Sequence, residues 1–82
     1  MAGNGENLEA LNDEALADLI RAAMTVLTKR GTADAFRILI ELSGQLGIAI
    51  GESARVLAER GSWSQVADVS GTTKQAAWSR WH

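Results

Sequence analysis

The stretch SWSQVADVSGTTKQAAWSRW, residues 62–81, decides how this chain is read. Ser62 and Gln65 stand in the S-x-x-Q order of a capping box, in which each side chain satisfies the other's backbone donor, and this predicts a helix starting at Trp63. Thr72 and Gln75 repeat the box, with Thr73 as a further cap candidate one residue on. The second helix then carries Lys74, Gln75, Ser79 and Arg80. Between the two helices Gly71 supplies a positive φ without steric cost. Ala67, four residues earlier, is small enough for two helices to cross on it. The expectation is a short helix, a turn and a second short helix.

Turning the last helix by about 100° per residue places Ala77 and Trp81 on one face, where with Val66 they form an inner surface. Gln75, Ser79 and His82 fall on the opposite face, flanked by Lys74 and Trp78. Trp63 and Trp81 read as core. His82 reads as a frayed, solvated ring at the terminus.

Upstream, Gly61 ends a long apolar segment that opens on a Thr32 cap with Asp34 in the first turn. Phe36, Leu39, Ile40, Leu42, Leu46, Ile50, Ala54 and Leu57 keep helical spacing, and Ile38, Ile48 and Val56 lie off that stripe. A helix apolar on nearly every side needs cover on more than one face. Gly44, Gly47 and Gly51 interrupt it, each costing roughly 1 kcal/mol relative to Ala in a helix interior. Two readings stand side by side. Either the helix breaks between Gly44 and Gly51, leaving Glu52 to Arg60 as a separate helix, or the glycines let another helix approach closely.

Before this comes an amphipathic segment in which Leu8, Leu11, Ala15, Leu19, Ala23 and Val26 recur at steps of three and four. Asn7 and Asn12 both qualify as its cap, with Asp13 and Glu14 where the helix dipole favours acids. Lys29 and Arg30 fill the last turn, and Gly31 takes the left-handed terminal position. Asp18 and Arg21 are placed for a surface pair. Residues 1–7 read as a disordered tail. The fold class is therefore all-α: a single helical domain over residues 8–82, with no strand-like alternation and no proline.

Eighty-two residues bound the chain to one small core. The absence of cysteine excludes disulfides and thiolate metal sites. With one histidine, no phosphate loop and no spaced ligands, no catalytic residue, metal or cofactor is expected, and an enzyme is rejected. The N-terminus lacks a signal-peptide pattern and the apolar stretch is too short to span a bilayer, so a cytoplasmic protein with no membrane partner is expected. Net charge is −2, yet its distribution is uneven. Residues 1–60 carry six Lys/Arg against nine Asp/Glu, whereas residues 61–82 carry Lys74 and Arg80 against Asp68 alone.

Residues 62–81 resemble the bacterial helix-turn-helix family, and more narrowly the S-W-x-x-[IV]-[AG]-x-x-x-G-[VT]-[ST]-[KR]-Q-A-A-x-x-R-[FW] form of small actinobacterial regulators. The match covers about a quarter of the chain. Ser70 and Thr72 stand where that family usually has apolar residues. The resemblance implies a three-helix, homeodomain-like unit over residues 52–82, whose last helix enters the major groove of double-stranded DNA. A wing is not expected, since the chain stops at His82.

In that docking mode Gln75 would hold adenine, Lys74 a guanine or a phosphate, and Thr73 would offer its backbone N–H to a phosphate. Ser79 faces outward and Arg80 lies to the side, suited to the sugar-phosphate backbone. Trp78 has three readings: a thymine methyl contact, cover for the core edge, or an anchor for a partner protein. Lys74 and Gln75 also read simply as solvated helix surface.

The functional expectation is a sequence-specific DNA-binding protein, a transcriptional repressor, acting as a homodimer. Its interface would run from Leu8 to Leu27 and from Phe36 to Ile50. The alternative is a protein–protein adaptor or self-assembly module that keeps the same shape without binding DNA.

Overall fold

In the computed structural model, which describes residues 7–82, the chain is all-α, with no strand among the described residues. The tail expected at residues 1–7 lies, apart from Asn7, outside the described residues. A single 3-10 turn at Leu8–Ala10 precedes four helices: α1 at Asp13–Arg30, α2 at Ala33–Arg60, α3 at Trp63–Ser70 and α4 at Lys74–Trp81. The chain forms two compact units, Met1–Ile40 and Glu41–His82.

In the first unit, Asn12 is the cap that starts α1, its side-chain oxygen accepting from the Ala15 N–H at 2.8 Å. Asn7 makes no side-chain cap, so the periodic run from Leu8 does not extend α1 toward the N-terminus. Leu11 is extended and separates the 3-10 turn from the helix. The reason is local: Asn12, Asp13 and Glu14 together satisfy orphan amides and meet the positive end of the dipole. Arg21 reaches Asp18 at 2.9 Å, as the spacing anticipated, with Glu14 at 3.9 Å. Both contacts are exposed and contribute little stability. Gly31, at φ 62°, closes the helix in the left-handed region. Thr32 then accepts from the Ala35 N–H at 3.1 Å and caps α2.

Helix α2 is unbroken from Ala33 to Arg60, so the expected alternative of a break between Gly44 and Gly51 does not occur. The segment Glu52 to Arg60, expected as a separate helix in that case, is the C-terminal part of α2. An added Cβ at Gly44 or Gly47 would meet nothing within 4 Å, whereas at Gly51 it would stand 3.5 Å from an Arg55 guanidinium nitrogen and 3.7 Å from the Trp81 ring. An added Cβ would thus meet no more than ordinary van der Waals contact at any of the three, and the expected alternative of close helix approach accounts for none of these glycines.

The second unit is organised around small residues. Ala54 of α2, Val66 and Ala67 of α3 and Ala77 of α4 form its buried cluster, with Ala58, Trp63 and Trp81 packed against it. These are the inner-face residues that helical spacing selected, and Trp63 packs where expected. No large side chain is fully buried among the described residues. Each buried methyl or methylene contributes only about 0.8 kcal/mol, so this cluster is a thin source of stability. Much apolar surface stays open: Phe36 and Ile48 are 66% exposed, and Ile40 and Leu46 58%. No helix among the described residues is long and apolar enough to cross a membrane.

Since nothing crowds Gly44 or Gly47, Gly44→Ala and Gly47→Ala are each expected to raise stability by about 1 kcal/mol, the helix-propensity difference. Urea unfolding followed by circular dichroism measures this. A loss of stability at either position would show that a neighbour outside the single chain occupies that space.

Candidate nucleic-acid interface

The corner between α3 and α4 is set by backbone chemistry at both ends. Ser62 Oγ accepts from the Gln65 N–H at 3.2 Å, which starts α3. Gly71 ends it at φ 73°, and the Thr72 N–H returns to the Ala67 carbonyl at 3.0 Å. Ser70, where the resembled family prefers an apolar residue, donates its hydroxyl to the Val66 carbonyl at 2.7 Å and so satisfies a group of the last turn.

Helix α4 starts on Thr73 and not on Thr72. Thr73 Oγ1 accepts from the Ala76 N–H at 3.1 Å, and Thr73 is extended at φ −86°, ψ 159°. The cap therefore lies one residue beyond the expected Thr72–Gln75 box, and with Ala76 at the third helical position no reciprocal side chain completes a box there. The cause is the turn itself: the Thr72 amide already closes on Ala67, leaving Thr73 as the half-helical residue. Lys74 and Gln75 become the first two helical residues, with side chains free of a capping duty.

Thr73, Lys74, Gln75, Ser79 and Arg80 are all exposed. Gln75 and Ser79 lie one turn apart on the face opposite Ala77, which is 0% exposed and presses α4 onto α3. Arg80 is drawn aside, its guanidinium carbon 5.2 Å above the centre of the Trp81 ring. That cation–π contact anchors Arg80 at the base of the helix. Lys74, Gln75 and Ser79 are thus gathered on one surface, while Arg80 stands off from it.

Two features escape sequence spacing or run against it. His82 is not frayed: its ring stacks on Trp78 with centroids 3.8 Å apart and planes 4° from parallel, and Nδ1 donates to the Trp78 carbonyl. The i,i+4 separation of Trp78 and His82 is the signal that points to it. Arg55 donates from Nη1 to the Trp81 carbonyl at 2.9 Å, clamping the C-terminal end of α4 to α2. This contact joins residues 26 positions apart, and no local pattern announces it.

Trp78 remains 49% exposed beside the polar face, so an aromatic surface of Trp78 and His82 borders Lys74 and Gln75. Among the described residues no group of three or more His, Asp or Glu side chains is placed to hold a metal ion. The chemistry available on α4 is hydrogen bonding and a modest positive charge.

Comparison with models of known protein families, with curated proteins and with solved structures finds no match to this chain.

Because Ala77 has no free volume around it, Ala77→Leu is expected to destabilise the second unit by about 1–3 kcal/mol through overpacking. Thr73→Ala is expected to cost about 1 kcal/mol through loss of the cap. Thermal unfolding measures both, and an Ala77→Leu protein as stable as the parent would contradict the tight α3–α4 contact.

Proposed function

We propose that the chain is a sequence-specific DNA-binding protein that acts as a homodimer, in the manner of a transcriptional repressor. The last part of α2 with α3 and α4 serves as a three-helix, homeodomain-like helix-turn-helix, and α4 is the helix presented to the major groove. The observation that carries this reading is the first turn of α4. Lys74 and Gln75 stand exposed just beyond the Thr73 cap, with Ser79 one turn on, while Ala77 and Trp81 hold the opposite face against the rest of the unit.

In the proposed complex Gln75 makes a bidentate contact to adenine and Lys74 reaches guanine or a phosphate. The Thr73 backbone N–H faces a phosphate and Arg80 follows the sugar-phosphate backbone. One unit has few cations, Lys74 and Arg80 against Asp68 within residues 61–82, so affinity depends on two units acting together. The exposed apolar residues of α1 and α2, including Leu19, Ile20, Phe36 and Leu46, supply the material for that pairing. A two-fold dimer would read half-sites about 34 Å apart, or a multiple of that distance.

A second reading, a protein–protein adaptor of the same shape, draws on a different observation. Val69 is 83% exposed and Trp78 49%, a poor use of apolar surface for a protein that only touches DNA.

Selection of duplexes from a random pool at low salt tests the first reading. Enrichment of a defined motif is expected. Lys74→Ala and Gln75→Ala should each weaken binding to that motif by at least tenfold, in line with about 1–3 kcal/mol for a bidentate base contact, with helicity and oligomeric state unchanged. The salt dependence should be shallow, near −0.9 per phosphate neutralised. No enriched motif, together with polymers larger than a dimer that Trp78→Ala disperses, would replace DNA binding with the adaptor reading.

A further inference from the structure

Arg55 is an exposed residue of α2 with a carboxylate at helical spacing on either side, Glu52 one turn before it and Glu59 one turn after. Among the described residues neither forms an ion pair with it. Its guanidinium turns instead to α4 and donates from Nη1 to the Trp81 carbonyl at 2.9 Å. The guanidinium and the Trp81 ring both lie over Gly51, which is buried. Arg55 thus forgoes an exposed ion pair, which contributes little, for a charge-assisted hydrogen bond to another helix.

That bond holds the carboxy-terminal end of α4, where backbone carbonyls lack partners inside the helix. The Trp78 carbonyl is met locally by the His82 N–H at 2.9 Å, and the Thr73 cap at the other end of α4 is equally local. Ala77 sets how near α4 lies to α3, but a single methyl group resists rotation about the helix axis only weakly. Side chains end about 5–6 Å from a helix axis, so a rotation of about 20° would carry the end of Gln75 through about 2 Å. Groups that recognise a partner must be held to within about 0.5 Å and 10–20°. The Arg55 contact supplies that restraint from outside α4.

We propose that Arg55 is a positioning residue for the exposed face of α4. By holding the Trp81 carbonyl it fixes the rotation of α4, and so sets how sharply Gln75 discriminates between base pairs. Arg55 does this without touching DNA. The inference rests on the DNA contacts proposed above and adds the residue on which their sequence discrimination depends.

Three variants of the full chain test it: Arg55→Ala, Arg55→Lys, and Arg55→Ala combined with Gln75→Ala. Each is titrated, over a range of salt, with the duplex that the wild type enriches and with a scrambled duplex of equal length. Arg55→Ala is expected to lower the ratio of the two affinities about tenfold, within the range of a bidentate base contact. The slope of log affinity against log salt should stay unchanged. Arg55→Lys should retain most of the ratio, since one charged donor suffices for one carbonyl. The double variant should discriminate no worse than Gln75→Ala alone, because both substitutions act on one contact. A lower folded fraction would weaken both duplexes by the same factor, so the ratio reports positioning and not stability. A ratio unchanged in Arg55→Ala overturns this role and leaves DNA binding standing. So does an equal loss on both duplexes with a slope smaller by about 0.9, which makes Arg55 a direct phosphate contact. A wild-type chain that enriches no motif overturns both.

Discussion

The contact of small residues between α3 and α4 is the constraint on which the second unit depends. Ala67 and Ala77 let two eight-residue helices approach closely enough for Val66, Trp63 and Trp81 to close around them. A helix of that length has no independent stability in water, so each exists only through this packing and its caps. The direction of α4, and with it every exposed group on that helix, follows from how tightly Ala77 seats. The clamp from Arg55 to the Trp81 carbonyl fixes the far end of the same lever. One end is held by shape, the other by a charge-assisted hydrogen bond.

Such a core is economical but thin. Alanine and valine bury few methylenes, and the larger apolar residues of α1 and α2 remain open to solvent. A core of this size contributes little stability to a short chain. The unbroken course of α2 through Gly44, Gly47 and Gly51 belongs to the same pattern, because it keeps an apolar face continuous where a break would have folded it away.

Much of this was legible in the residues. The all-α class, the Gly31 and Gly71 helix ends, the Ser62 cap and the Val66, Ala77 and Trp81 face follow from local rules of propensity, capping and period. What the residues left open or placed one position off also has local causes. Asn7 and Asn12 compete for one helix start, and the acidic pair after Asn12 decides it. Thr72 and Thr73 are equivalent as caps until the Thr72 amide is committed to Ala67, a hydrogen bond that exists only once the turn has formed. The continuity of α2 was open because glycine weakens a helix by an amount that burial elsewhere in the segment can offset. Arg55 was beyond reach for another reason: its partner is a backbone carbonyl, which any residue at position 81 would provide. Of the candidate interface, spacing put Gln75 and Ser79 on one face flanked by Lys74, and the i,i+4 separation of Trp78 and His82 signals their stacking, but it said nothing of Arg80 lying over Trp81.

Trp81 joins these contacts in one residue. Its ring lies 3.7 Å from an added Cβ at Gly51 and carries Arg80 above it, while its carbonyl receives Arg55. The ring closes the small-residue cluster around Ala77, and the carbonyl of the same residue holds the end of α4 to α2. The direction in which α4 turns its outer side, with Gln75 and Ser79, is therefore set inside the unit, by one alanine contact and by the two contacts of Trp81.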